Sequence, residues 1–397
     1  MVLDKTIPHI GKFFAIPLNL FFILGFCIIR WKPNEKPKEL QYLFILFLVF
    51  NSVYNVAGML SYTIYEPLET SLEKTAYIIY TTFAGNSVMK FVCCLCNLKK
   101  LHQCFKSLEK YYPRTAKERE DYRLDEHLKK MERFNLLLTI YHFLVTSIFS
   151  WFPLIQSTVL YYKNEERSFP YMLPFPMHYI FNERTNLGYA FAYTTQCTGS
   201  YAASCMCQGA DILLLTCVHL INMNLTHLAK TIRDFKPTGT LSDLKQLKQF
   251  VTYHNDILST VNLIDDTFSL SILLNYLCTV TIMCLIGFQM VIGTNIFHLL
   301  KFLLFFMSVL TPVYFISKFG TDMMELSSDI NEAFMHHSWY DGHILYQRSL
   351  IMSIRISQKP VHLNAFKFFI ISMETFKSLI SISYQFFTMI KTSYVEE

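Results

Sequence analysis

Seven predominantly apolar runs, each long enough to cross a bilayer and separated by polar segments, restrict this sequence more than any other feature. They lie at Gln41 to Tyr62, Thr75 to Asn97, Phe134 to Leu160, Leu187 to Asn222, Thr267 to Ile292, Ile296 to Ile316 and Phe366 to Ile390. At 1.5 Å per residue, about twenty helical residues span a hydrocarbon core of roughly 30 Å. Lipid offers the backbone no hydrogen bonds, so such runs must satisfy themselves as helices. The expected fold class is an all-α membrane protein with seven transmembrane helices. Composition agrees, since 52% of the residues are hydrophobic and 36 Phe with 24 Tyr suit lipid contact, interfacial belts or apolar cavities.

Orientation follows from the positive residues, which favour the cytoplasm when they flank a span. Twenty-six Lys and Arg lie before the first span or in the loops 99–133, 223–265 and 317–365, against five in the alternate loops and the tail. This predicts a cytoplasmic N-terminus and an extracellular C-terminus. G-protein-coupled receptors have the opposite N-terminal orientation, and the last span carries Ile382-Ser-Tyr384 in place of their Asn-Pro-x-x-Tyr. The eleven cysteines fall in spans or inner loops, so no external disulfide is expected. The sequon Asn224-Leu-Thr226 falls on the inner side and should be unmodified.

A shorter run, Phe13 to Ile29, reads as a helix at the inner interface, with a signal peptide as the alternative. Further on, Leu241, Leu244, Leu247, Phe250, His254, Ile257, Val261, Ile264 and Phe268 recur at three- and four-residue steps. That pattern predicts an amphipathic helix running into span five, with Thr240 and Asp243 as its N-terminal cap. Span four would be about 54 Å long if helical throughout and so also projects beyond the membrane. With 321–360, which holds His336, Trp339 and Tyr340, these helices predict a cytoplasmic anchor whose apolar seam needs a partner copy. The expected units are 1–222 (interfacial helix, spans one to four), 223–265 (cytoplasmic extension), 266–316 (spans five and six), 317–365 (anchor) and 366–397 (last span and external tail).

Enzymatic constellations are missing from the sequence: it has no His-Glu-x-x-His, glycine-rich phosphate loop or Gly-x-Ser-x-Gly. Cys93-Cys-x-Cys96 lacks a second ligand pair and His336-His337 reads as solvated, so neither metal nor cofactor is expected. Asp265-Asp266 likewise reads as a solvated pair at a span entrance. Transporters are often built from matched halves, and no internal repeat is present.

The end of the chain is more specific. Asn331-Glu-Ala-Phe, Ser338-Trp-Tyr-Asp-Gly342, Ser357-Gln-Lys-Pro-Val361, Ala365-Phe-Lys-Phe-Phe369, Thr375-Phe376 and Ser383-Tyr384-Gln-Phe-Phe-Thr388 occur in this order. Together they resemble the C-terminal signature of insect odorant receptors, with weaker echoes upstream at Asp211 and His219. The resemblance implies a ligand-gated cation channel subunit in the plasma membrane of a sensory neuron dendrite. It further implies a tetramer around one pore lined by the last helix, assembled with the shared odorant co-receptor. Co-receptors carry a large insert in the second intracellular loop, and 223–265 is short here, so the chain resembles an odorant-tuning subunit. A gustatory-type receptor channel, a metabotropic receptor and a transporter remain the alternatives. Partners expected are a small volatile odorant, the co-receptor and membrane lipid, with no nucleic acid.

The family pocket lies in the outer halves of spans two, three, four and six. On this topology the candidates are Tyr77, Tyr80, Phe83 and Ala84 in span two and Phe149, Ser150, Trp151 and Pro153 in span three. Span four contributes Tyr189, Tyr193, Gln196 and Cys197, and span six Phe305, Phe306 and Leu310. Ser150 or Gln196 would orient the ligand by a hydrogen bond, while Tyr and Trp at these depths also form an ordinary interfacial belt. In the last span Ser383, Phe387 and Ile390 share a face and are the gate candidates, as an apolar ring can close a pore by dewetting. Ser372, Glu374, Lys377, Ser378, Ser381 and Gln385 interrupt the same run, so part of its surface faces water or protein. It is either a pore wall or a helix buried in a bundle with Glu374 and Lys377 paired.

Overall fold

The computed structural model describes residues 9–26, 39–65, 71–163, 169–292 and 296–395. The helices are α1 (Ala15–Ile23), α2 (Glu39–Tyr65), α3 (Ser71–Cys96), α4 (Leu98–Lys110), α5 (Ala116–Asp121), α6 (Leu124–Lys163), α7 (Asn186–Asp234), α8 (Ser242–Ile292), α9 (Ile296–His336), α10 (Ile344–Ser357) and α11 (Met373–Val395). Six of them (α2, α3, α6, α7, α8 and α9) are long and apolar enough to cross a membrane. α11 is long enough at 23 residues but carries Glu374, Lys377 and Lys391. The all-α bundle expected from the apolar runs is therefore the architecture adopted.

The bundle is built around α7. Every residue from Ser204 to Ile221 is buried: small and aliphatic side chains cover most of the circumference, and the polar stripe of Ser204, Gln208, Asp211 and His219 is packed inside the bundle as well. Neighbours can then approach closely: a Cβ at Gly209 would stand 3.0 Å from the ring of Phe21 on α1. Phe13, Phe14 and Phe21 are almost fully buried, so the short N-terminal helix is packed into the bundle as well as short of a span. Residues 27–29 of its run lie outside the described residues. Inside the bundle Lys90 of α3 donates to both carboxylate oxygens of Asp211, at 2.9 and 2.7 Å, and to Cys207 Sγ at 3.3 Å.

α7, α8 and α9 all run past the membrane-length stretch into a helical base completed by α4, α5 and α10. The amphipathic pattern before span five is one continuous helix with it, α8, of 51 residues. Leu247, Phe250, Ile257, Val261 and Ile264 are buried as the spacing required. Its cap differs from expectation. The Asp243 carboxylate accepts from the Thr238 backbone N–H and hydroxyl, both at 3.0 Å, and from His343 N–H at 3.4 Å, so it ties α8 to the start of α10. Asp265 is also not simply solvated: it accepts from the Asn364 backbone N–H at 2.7 Å. Asn224 is buried in the base and accepts from Tyr253.

The last apolar run begins as something other than helix. Asn364–Ala365 and Phe369–Ile370 pair antiparallel, and the turn between them puts Phe366 and Lys367 at φ 49° and 64°. Helix starts only at Met373, where Ser372 N–H donates to Thr375 Oγ1 at 2.9 Å and Thr375 N–H returns a bond to Ser372 Oγ at 3.3 Å. This reciprocal cap satisfies amides that a helix start leaves bare. Gly320 of α9 lets the segment dock, because a Cβ there would meet the Ile371 carbonyl at 2.7 Å.

Candidate functional site

At the end of the bundle away from the base, five helices bound a cavity of about 80 Å³. α2 contributes Ser52, Asn55, Val56 and Met59, and α3 contributes Tyr80, Phe83, Ala84 and Val88. His142, Val145, Thr146 and Phe149 come from α6, Gln196, Gly199, Ser200 and Ala203 from α7, and Phe305 and Ser308 from α9. Phe175, from the connection between α6 and α7, closes it. The aromatic wall is mutually packed, with Tyr80 and Phe175 centroids 5.2 Å apart, Phe83 and Phe305 5.3 Å, and Phe149 and Phe305 5.2 Å. Behind it the Lys301 ammonium sits 4.5 Å from the centroid of Phe149, a cation–π contact.

A second, wider recess of about 580 Å³ lies outside the first and is lined by Tyr62, Tyr77, Tyr171, Met177, Glu183, Arg184 and Gln289 among others. Tyr80 and Phe175 line both spaces and so form the partition between them. Gln196 holds that partition in place. Its amide donates to the Phe175 carbonyl at 2.6 Å and to Tyr179 OH at 2.7 Å, and its oxygen accepts from Phe175 N–H at 2.9 Å.

Of the residues singled out in the sequence, Tyr80, Phe83, Ala84, Phe149, Gln196 and Phe305 surround the cavity, and Tyr77 lines the outer recess. The others do not line it. Tyr193 OH donates to the Ser150 carbonyl, and Tyr189 OH donates to the Met172 carbonyl at 2.8 Å. Trp151 is partly exposed and donates to Tyr201 OH at 3.1 Å, while Pro153 is buried within α6. Cys197 is half-buried, and Phe306 and Leu310 pack on the main core. Sequence reasoning missed α2 altogether, together with His142 and Phe175. The available signal was Asn51, Ser52 and Asn55, three polar residues within an otherwise apolar span, where polarity is expensive and calls for a reason.

On α11, Ser383, Phe387 and Ile390 do share a face, but it is the one turned into the bundle. Ser383 is buried, a Cβ at Gly287 of α8 would stand 3.1 Å from the Phe387 ring, and Ile390 packs on the apolar cluster, Ile282 and Ile286 of α8 among its members, to which the cavity residues Phe149 and Phe305 also belong. The opposite face is polar: Glu374, Ser378, Ser381, Gln385, Thr388 and Thr392 recur at four- and three-residue steps, and all but half-buried Thr388 are exposed. Lys377 and Glu374 are both exposed as well.

The fold is thus a helical bundle of membrane-length helices with an aromatic-walled cavity at one end and a helical base at the other. The chain belongs to the 7tm odorant receptor family, whose model matches residues 72–384. Among Drosophila melanogaster proteins it is 28% identical to putative odorant receptor 85d over 97% of this chain and 96% of that protein. It is 26% identical to odorant receptor 67a over 98% of each. In fold it is similar to the insect olfactory receptor OR5 from Machilis hrabei solved in complex with eugenol, with a TM-score of 0.80 at 15% identity over 97% of this chain and 99% of that one. A second structure of the OR5 receptor from Machilis hrabei gives 0.77 at 14% identity, over 96% of this chain and 98% of that one.

Proposed function

We propose that this chain is the odorant-binding subunit of a ligand-gated, non-selective cation channel, assembled with the shared insect odorant co-receptor in the plasma membrane of a sensory neuron dendrite. The N-terminus and the base are cytoplasmic, as the distribution of Lys and Arg requires. The cavity between α2, α3, α6, α7 and α9 is the odorant site and opens toward the extracellular recess when Tyr80 and Phe175 part. The observation that carries this reading is the cavity itself, mostly apolar, walled by aromatic rings and divided from the outer recess by Tyr80 and Phe175. It is small against the 300–1,000 Å³ typical of ligand sites, so a volatile of ordinary size must move the aromatic wall as it enters. That movement reaches the pore, because Ile390 of α11 leans on the same cluster.

The pore is lined by α11. Its polar stripe supports this, since a row of Glu, Ser, Gln and Thr side chains facing lipid would be strongly unfavourable, whereas facing a water-filled conduit it is solvated. Phe387 then acts from behind, as the packing contact to Gly287 that fixes the rotation of α11, and a gate at Phe387 itself would require the helix to turn by about half a revolution.

Co-expression with an odorant co-receptor in oocytes tests the reading. Odorant-evoked cation currents are expected from the pair and not from this chain alone. Ala84→Phe, which fills the cavity, should raise the half-maximal concentration of every ligand at unchanged surface expression, and Gln196→Leu should do the same by freeing Phe175. Robust currents from the chain alone, or an indifferent Ala84→Phe, would overturn it.

A further inference from the structure

Ser52 and Asn55 of α2 form a polar pole in the lining of the cavity, and the atoms left over there define a ligand. Most polar side chains that line it are already satisfied within the protein. Gln196 is committed to Phe175 and Tyr179, Thr146 donates to Ser204 at 3.2 Å, Ser200 to the Gln196 carbonyl at 2.7 Å and Ser308 to the Phe305 carbonyl at 2.8 Å. Three are not. Ser52 Oγ, Asn55 Oδ1 and His142 Nε2 are buried without a hydrogen-bond partner among the described residues. Their residues are only 8%, 5% and 5% exposed, so bulk water does not serve them. Buried polar atoms of this kind are normally paired, and where the residues that carry them line a ligand cavity, a polar group of the ligand can supply the missing partner once the wall moves to admit it.

The chemistry of the pole is directional. Asn55 Nδ2 donates to the Asn51 carbonyl at 2.8 Å and to Asn51 Oδ1 at 3.0 Å, which fixes the free atom as the oxygen, an acceptor only. Ser52 stands three residues away on the same face of α2 and can donate as well as accept. We infer that this site selects a ligand bearing a hydroxyl group, which donates its proton to Asn55 Oδ1 and accepts from Ser52 Oγ, while its hydrocarbon part lies against the aromatic wall. An ether, ester or ketone can only accept and leaves Asn55 Oδ1 unpaired. A hydrocarbon leaves both atoms unpaired, and an ionised carboxylate meets an acceptor where it needs a donor. The inference rests on the reading of the cavity as the odorant site.

Cells expressing this chain with an odorant co-receptor are exposed to 1-hexanol, methyl pentyl ether and heptane, matched in heavy-atom count. The expected order of potency is alcohol, ether, hydrocarbon, with 1-hexanol active at roughly three- to tenfold lower concentration than the ether, the value of one hydrogen bond. Asn55→Leu should remove the preference for alcohol over ether. Because Asn55 also braces Asn51, Ser52→Ala provides a variant that breaks no bond within the protein. It should weaken 1-hexanol by a similar factor and leave heptane unchanged. Equal potency of 1-hexanol and the ether in the unaltered receptor, an indifferent Ser52→Ala, or silence to all three ligands at normal surface expression overturns the hydroxyl inference. Insensitivity of every response to Ala84→Phe instead overturns the placement of the site, so the two failures are told apart.

Discussion

α2 and α11 are helices of similar length, 27 and 23 residues, that present opposite chemistry to their surroundings. The outward face of α2 carries Leu43, Phe44, Leu46, Phe47, Phe50 and Val53, and its polar residues Asn51, Ser52 and Asn55 are buried. On α11 the polar residues are the outward ones. Phe376, Leu379 and Phe387 turn inward, while Glu374, Ser378, Ser381 and Gln385 are exposed as one stripe, flanked by exposed Ile380, Ile382, Tyr384, Phe386 and Met389. In water the second pattern is ordinary and the first would aggregate; in lipid the first is ordinary and the second is costly. The difference teaches that the two helices are not suited to the same medium: the outward face of α2 suits acyl chains, whereas the exposed stripe of α11 suits the water-filled conduit proposed above.

The largest expected effect comes from breaking the inward polarity that such a bundle tolerates only when paired. Lys90→Met leaves Asp211 without its cation and should cost about 3–5 kcal/mol, eliminating most surface protein. The double variant Lys90→Met with Asp211→Leu should recover much of it, and surface biotinylation of both reads the outcome. Next in size is the outward face itself. Phe50→Lys puts a charge toward lipid, at about 2.5–3.5 kcal/mol near a span centre, whereas Ser381→Lys on the polar stripe of α11 should reach the surface and alter permeation instead. Equal loss of surface protein in these two variants would erase the contrast between the helices.

Smaller effects belong to the base, outside the membrane-length stretches. His337 Nδ1 donates to the Ala333 and Phe334 carbonyls at 3.3 and 3.1 Å, leaving Nε2 to accept from Tyr346 OH. Burial holds its pKa below the usual histidine value. The unfolded chain therefore takes up a proton near pH 6.5 that the folded base refuses, so stability is full above about pH 6.5 and declines as the pH falls below it. Melting temperature followed against pH should show this decline, and His337→Phe should flatten it.

Much of the fold was legible because hydropathy and charge act along the chain one residue at a time. Span lengths, the continuous α8 and the projection of α7 past the membrane all follow from period and length. What failed was tertiary. The Phe366 to Ile370 stretch is as apolar as a helix, yet Phe366 and Lys367 adopt left-handed backbone and form a hairpin wedged against Gly320. The periodicity of Ser383, Phe387 and Ile390 was correct, but spacing alone does not say which of two opposite faces turns toward α8. Six of the fifteen pocket candidates surround the cavity, but helical spacing did not single them out: Tyr80 and Phe83 line it, whereas Tyr189 and Tyr193, spaced as regularly, bond backbone carbonyls instead. Asn55 and His142 were missed because their significance is an unpaired atom, which exists only once every other bond has been assigned.

The pore assignment can be tested residue by residue. Single cysteines are placed at Ser381 and Gln385 on the polar stripe and at Phe387 on the opposite face, in receptors co-expressed with the co-receptor. A charged, water-soluble methanethiosulfonate is applied during odorant-evoked current. Rapid irreversible block at Ser381→Cys and Gln385→Cys, with Phe387→Cys no more sensitive than the unaltered receptor, is the result expected of an α11 whose polar face lines the conduit. Block at Phe387→Cys with protection of the other two would contradict it and would put the pore on the face that now packs against α8.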